Sequence, residues 1–217
     1  MISSDTTTDR EYFRLQALSR FERVLWNRGI LNVAGVDEAG RGPLAGPVVA
    51  AAVIFPPDTM ITGIDDSKKL TPAHRERLFE KIVHSAITHG VAIVDHHEID
   101  RINILQATYQ AMRDALRRLQ PQAEYILVDG NSFNHDQIPS RAIVKGDTRS
   151  ISIAAASIIA KVTRDRMMLQ FHEQYPEYGF DKHKGYCTLA HVRAIEIHGY
   201  CPIHRRSFHI KGMMHNG

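Results

Sequence analysis

Val36-Asp37-Glu38-Ala39-Gly40-Arg41-Gly42-Pro43-Leu44-Ala45-Gly46-Pro47 starts as an apolar run, stops on two adjacent carboxylates and enters a glycine-rich loop carrying one arginine. Residues 33–36 and 48–55 on either side read as short buried strands, so the carboxylates sit at a strand end, a common place for catalytic groups. Successive strand residues point to opposite faces, so Asp37 and Glu38 reach one ion only if the chain bends at Glu38. Gly40 and Gly42 make such a bend cheap and let bare backbone N–H groups approach a ligand closely. The combination suits a metal and a phosphate; the bland alternative is an acidic hairpin turn stabilised by glycine and proline.

Working outward, residues 1–9 are expected to be disordered, and residues 11–27 to form an amphipathic helix with Phe13, Leu18, Phe21, Val24 and Leu25 near one face. Thr71 can cap a helix that opens on Pro72 and runs to about residue 89, closed by Gly90. Residues 91–94 are a third strand, and 98–119 a long helix ended by Pro121. A short strand at 125–128 ends on Asp129-Gly130-Asn131, and another at 142–144 on Lys145-Gly146-Asp147. A strongly apolar helix then spans roughly 151–171, its alanines allowing close packing on the sheet, and a last helix covers 189–198. This order implies an α/β fold, a mixed sheet covered by helices. Acids end three of its strands, and in a partly parallel sheet such ends fall on one edge, where ligands bind.

Asp37, Glu38, Asp129 and Asp147 have no histidine or cysteine partner in their motifs and form a hard, oxygen-only ligand set, which selects magnesium or manganese over zinc. Unpaired, they repel one another and raise their own pKa values. Two divalent ions about 3.5–4 Å apart relieve that repulsion and provide the arrangement for in-line phosphodiester cleavage. The alternative of acids solvated at loop tips survives more easily for Glu38 and Asp147 than for Asp37 and Asp129, which directly follow apolar runs. A competing zinc set, Cys187-x3-His191 with Cys201-x2-His204, is disfavoured: its first spacing lies partly in a helical pattern, and 13 histidines make chance pairings easy. Lys161 and Asp165 read as an ordinary intrahelical pair. His183-Lys184-Gly185-Tyr186 can hold a phosphate and stack on a sugar or base, although Tyr186 also fits a plain core aromatic.

The 217 residues suffice for one large domain with a proper core, and 43% hydrophobic with 24% charged residues is ordinary for a soluble protein. No apolar run approaches the roughly 20 residues that span a bilayer. The first ten residues are polar and lack the features of a secretory signal. With two cysteines there is no disulfide framework, so a cytoplasmic location is expected. A net charge of +3 is no nucleic-acid signature by itself. Its distribution says more: Lys68, Lys69, Lys182, Lys184, Arg205, Arg206 and Lys211 lie in turn-like segments, placed to meet phosphates or simply solvated.

Taken together, the chain closely resembles the ribonuclease HII (type 2 ribonuclease H) family. The resemblance rests on the stretch quoted above, Asp66-Ser67-Lys68-Lys69-Leu70, Val128-Asp129-Gly130-Asn131, Lys145-Gly146-Asp147, the helix segment 155–165, His183-Lys184-Gly185-Tyr186 and His204-Arg205-Arg206-Ser207-Phe208, in the family's order. It implies a ribonuclease H-like core over residues 31–170, preceded by a tail and accessory helix (1–30) and followed by a C-terminal helical extension (171–217) that contributes to substrate binding. It also implies endonucleolytic hydrolysis of RNA paired with DNA, including a lone ribonucleotide in duplex DNA, by a monomer that needs no membrane. By the same resemblance Asp37, Glu38, Asp129 and Asp147 are the metal-binding catalytic carboxylates. Gly40, Arg41 and Gly42 are the loop that reads the ribose 2′-hydroxyl and its phosphate, Tyr186 is the ring on the next sugar, and Lys68, Lys69 and Lys184 are further substrate contacts. Cys187 and Cys201 acquire no role, and the tail has no evident clamp-binding peptide. The rivals are a DNA-junction nuclease of the same fold, which would not need a 2′-hydroxyl, and a non-catalytic binding module, which would leave hybrid intact.

Overall fold

Strand β1 (Val33–Ala39) lies at the centre of a five-stranded sheet ordered β3-β2-β1-β4-β5 in the computed structural model, which describes residues 5–209, with side chains from Asp9 onward. β2 (Val48–Ile54) and β3 (Thr88–Val94) run antiparallel on one side of β1; β4 (Tyr125–Asp129) and β5 (Ser140–Ile143) run parallel to it on the other. β2 is buried at every position, its Val-Val-Ala-Ala-Ala-Val-Ile sequence lacking alternation because both faces are covered. Its odd and even residues therefore feed two separate cores.

One face carries α4 (His96–Ile102) and α5 (Ile104–Arg117), whose Ala107, Ala111 and Ala115 pack on Ala50, Ala52 and Val36. The other carries α6 (Ile151–Gln174), packed through its alanines and isoleucines on Val49, Ala51 and Val53, with α3 (Pro72–Ser85) outside it. Close approach is obligatory here, for a Cβ on Gly35 would stand 2.1 Å from the carbonyl carbon of Ser152. Beyond α6, the short helix α7 (Phe180–His183) and α8 (Leu189–His198) enclose a small core of Phe180, Tyr178, Ala194, Ile195 and Ile203 with Met168 and Leu44. The extension is thus fastened to both α6 and the loop after β1. Among the described residues no helix is long and apolar enough to cross a membrane.

Several boundaries differ from expectation. The N-terminal helix is two, α1 (Asp5–Leu18) and α2 (Arg20–Trp26), so residues 5–9 are helical rather than disordered; residues 1–4 and 210–217, including Lys211, lie outside the described residues. Phe13 and Val24 face solvent, while Leu15, Leu18, Leu25 and Trp26 are buried. The helix expected to reach residue 89 stops at Ser85 because 88–94 pair along the whole of β2. The helix expected over 98–119 is broken at Asn103, whose φ of +67° turns the chain and whose side chain accepts from the N–H groups of Leu105 and Gln106. β5 begins two residues before the expected strand, and α6 continues to Gln174.

Candidate active site

The pairing of Val36 with Val128 sets the ends of β1 and β4 level, so Asp37 and Asp129 leave the sheet side by side. β1 does not bend at Glu38; it stays paired with β2 through Ala39, and Glu38 and Asp37 therefore occupy opposite faces. Both still reach a cavity of about 190 Å3 at the sheet edge, lined also by Asp129, Gly40, Arg41, Gly42, Ser67, Lys68, Ser157, Lys161 and Tyr186. Asp147 lies beside the cavity without lining it, on the 3-10 turn Gly146–Thr148, whose Gly146 N–H donates to Asp129 Oδ1 at 2.6 Å. Lys68 Nζ stands 3.7 Å from Asp147 Oδ2.

Crowding shapes the electrostatics. Burial, and then the charges of Glu38 and Asp129, hold the Asp37 carboxyl well above the usual carboxylate range. Asp147 is raised by burial and by Asp129 and Asp66, and Glu38 by burial, against which Arg41, 3.3 Å away, works in its favour. Ser157 hydrogen-bonds Asp37 and shares a 2.8 Å contact with Ser67. Among the described residues no three Asp, Glu, His or Cys side chains stand close enough to hold one ion. The donor set nevertheless suits hard divalent cations: carboxylate oxygens, mutually repelling, with two exposed-headed cations, Lys68 and Arg41, as neighbours.

The glycine loop is held from behind. Gly40 has φ +99°, and a Cβ there would lie 2.1 Å from Arg164 Nε and 2.7 Å from the Pro47 carbonyl oxygen. Arg164, buried in α6, donates to the carbonyls of Pro47 (2.9 Å), Lys184 (3.0 Å) and Ala45 (3.1 Å). Arg205, equally buried, donates to Gly46 (2.9 Å), Arg41 (3.0 Å) and Gly40 (2.5 Å). An isolated bridge between Ala45 and His204 completes the fastening. Tyr186 is 45% exposed at the cavity mouth beside Gly42, so it is no core aromatic.

Not every expected contact converges. Lys69 pairs with Asp65 at 3.3 Å, outside the cavity, and the Lys184 ammonium turns back onto the Asp181 carbonyl. Arg205 is a buried clamp, and Arg206 stacks on Tyr200 at 4.8 Å. Lys161 does pair with Asp165 at 2.7 Å, yet it also lines the cavity. Hydrophobic periodicity gives no sign of the two buried arginines; their only signal is the motifs they belong to.

The zinc alternative fails on geometry. Cys187 is exposed, while Cys201, His191 and His204 are buried in one directed chain. The Cys201 N–H donates to His204 Nδ1 (2.9 Å), which leaves the proton of that ring on Nε2 to meet His191 Nε2 (3.0 Å). His191 Nδ1 then donates to the Tyr186 carbonyl (3.0 Å). Every ring nitrogen is satisfied with both imidazoles neutral.

A mixed sheet of this order with acids at the ends of its first and fourth strands defines a nuclease of the ribonuclease H class. The crystal structure of the ribonuclease H2 from Pyrococcus horikoshii OT3 superposes with a TM-score of 0.69 at 32% identity, covering 81% of this chain and 93% of that one. The ribonuclease HII in a PCNA complex from Archaeoglobus fulgidus gives 0.68 at 26% identity over 85% and 98%. The ribonuclease HII family model matches residues 34–211, and the ribonuclease HII of Clostridioides difficile (strain 630) is 53% identical over 92% of this chain and 78% of its own length. This chain belongs to the ribonuclease HII family and is a ribonuclease H-type hydrolase.

Proposed function

We propose that the enzyme hydrolyses the RNA strand of RNA–DNA hybrids and incises duplex DNA on the 5′ side of a single embedded ribonucleotide, leaving 3′-hydroxyl and 5′-phosphate ends. The observation that carries the reading is one cavity bounded by carboxylates, by the Gly40–Arg41–Gly42 loop and by the exposed ring of Tyr186. RNA differs from DNA at a given position by the 2′-hydroxyl, and backbone groups of a clamped loop opposite an aromatic ring suit its detection. Asp37, Glu38, Asp129 and Asp147 are the residues that would hold magnesium or manganese. Bound there, two such ions supply an activated water and charge neutralisation at the leaving 3′ oxygen. Arg41 and Lys68 face the phosphate, and Ser157 orients Asp37. The C-terminal extension, which carries Tyr186, contributes to substrate binding.

The test compares duplexes that differ in one 2′-hydroxyl, with each metal in turn. Cleavage 5′ of the ribonucleotide, none in the all-DNA duplex, and loss of several orders of magnitude in Asp129→Asn are expected. Cyclic phosphate ends, cutting of plain DNA, or Asp129→Asn activity within about tenfold of wild type, roughly 1.4 kcal/mol of barrier, would each contradict the reading.

A further inference from the structure

Over the β4–β5 end of the sheet, α2 and these two strands enclose an open trough of about 380 Å3 lined by Arg20, Arg28, Arg141 and Arg149 with Phe21 and Tyr125, together with apolar side chains of α2 and β4. No carboxylate among the described residues pairs with any of these four arginines; Arg149 alone has a side-chain hydrogen bond, to the Val144 carbonyl. Glu22, on the same short helix, turns inward to the Ser150 hydroxyl and the Ser152 N–H instead of neutralising them. Arg141 and Arg149 both lie over the Phe21 ring, at 5.0 and 5.4 Å, which positions both heads; the Arg141 fork has no hydrogen bond, and Arg149 keeps the N–H groups not given to the Val144 carbonyl. The trough is therefore an acid-free set of guanidinium forks, two of them held on one ring, of the kind that suits phosphate oxygens.

Its location names the ligand. Arg149 ends the turn that carries Asp147, two residues away, and Thr148 with Arg149 also borders an adjoining pocket that reaches Arg14, Leu18 and one carboxylate, Asp65. Arg141 is the second residue of β5, paired with Leu127, and Tyr125 opens β4, so the track runs from the carboxylate edge down the length of the parallel strands. Four residue steps of β4 cover about 13 Å at about 3.3 Å each, matching the rise of about four base pairs at roughly 3.4 Å. We propose that this trough is a second nucleic-acid contact, which takes the phosphate backbone of the duplex flanking the incision site. The proposal rests on the substrate reading above and extends it to an N-terminal element.

The experiment measures anisotropy of an all-DNA duplex in magnesium against salt, for wild type, R20Q/R28Q/R141Q and the charge-retaining R20K/R28K/R141K, with Tm of each as a folding check. The glutamine variant is expected to bind more weakly, its log Kd against log salt slope falling by about 0.9 for each arginine that meets a phosphate. The deficit should grow as the duplex is lengthened on one side, and the lysine variant should regain the slope. An unaltered slope in the glutamine variant, or a deficit independent of duplex length, overturns the proposal and leaves the arginines to another anion or to solvent. Wild type that fails to cut a duplex with one ribonucleotide contradicts the substrate reading instead, so the two failures are distinct.

Discussion

Tyr186 illustrates how much one side chain depends on what holds its backbone. The ring is open to solvent, yet the carbonyl of the same residue is pinned by His191 at the end of a buried chain that starts at Cys201. An exposed aromatic with a fixed backbone is a stacking platform with little freedom to lose on binding. Tyr186→Ala is therefore expected to reduce cleavage at a lone ribonucleotide by ten- to a hundredfold, the equivalent of about 1–3 kcal/mol of stacking. The reduction on a long hybrid should be smaller, because many registers and further 2′-hydroxyl contacts share the task. Parallel kinetics on the two substrates decide it: equal losses would confine Tyr186 to general binding, and no loss on either would remove it from the site. Asp37 and Glu38 stood out in the sequence because two adjacent acids follow an apolar run and lead straight into a glycine-rich loop. The route by which they meet was not, since strand pairing with β2 continues through Glu38 where a bend had been expected.

At the scale of elements, the loop 40–47 behaves as part of the interior although it is irregular. Five carbonyl contacts from Arg164 and Arg205, two guanidiniums with no carboxylate of their own, replace the pairing that a strand would have given it. Arg205→Lys keeps the charge but cannot serve the Gly40, Arg41 and Gly46 carbonyls together. One buried acceptor left without a donor costs about 2 kcal/mol, which for a chain of this size corresponds to a fall of roughly 4–8 °C in Tm. Amide exchange over residues 40–46 should accelerate in step with the loss of cleavage. Exchange identical to wild type would show that the clamp is dispensable. Long periodic or apolar segments such as α6 and α8 were readable from sequence almost to the residue. The breaks at Ser19 and Asn103, the early start of β3 and the short α7 were not, because caps, edge pairing and a satellite core decide them rather than periodicity.

For the whole molecule, two populations of buried titratable groups respond to acid in opposite senses. Burial, and then the charge of a neighbouring imidazole (His183 beside His191, His191 beside His204), pushes His191 and His204 down to about 4 from an ordinary value near 6.5, against hydrogen bonds to the Tyr186 and Cys201 backbone that work the other way. Their contribution to stability is complete above pH 6.5 and is lost as pH falls toward 4. Protonating His191 also sets two N–H groups against each other across the 3.0 Å contact, and protonating His204 sets its Nδ1–H against the Cys201 N–H at 2.9 Å. Glu22, Asp37 and Asp147 are raised, so in the metal-free protein they favour the fold as pH falls, and a global melting curve reports only the sum. Hydrogen exchange resolves it: between pH 7 and 5, after correction for intrinsic rates, α8 should lose protection while α5 does not. Uniform behaviour of the two helices would refute the assignment. The fastening of loop 40–47 by Arg205 has one more consequence, in time rather than space. All four carboxylates have been synthesised once Asp147 is made, yet the loop beside them lacks half its clamp until Arg205 has left the ribosome, an interval of several seconds at roughly 5–20 residues per second. A nascent chain therefore carries its acids well before the loop beside them is set, and any cleavage that needs that loop waits for Arg205.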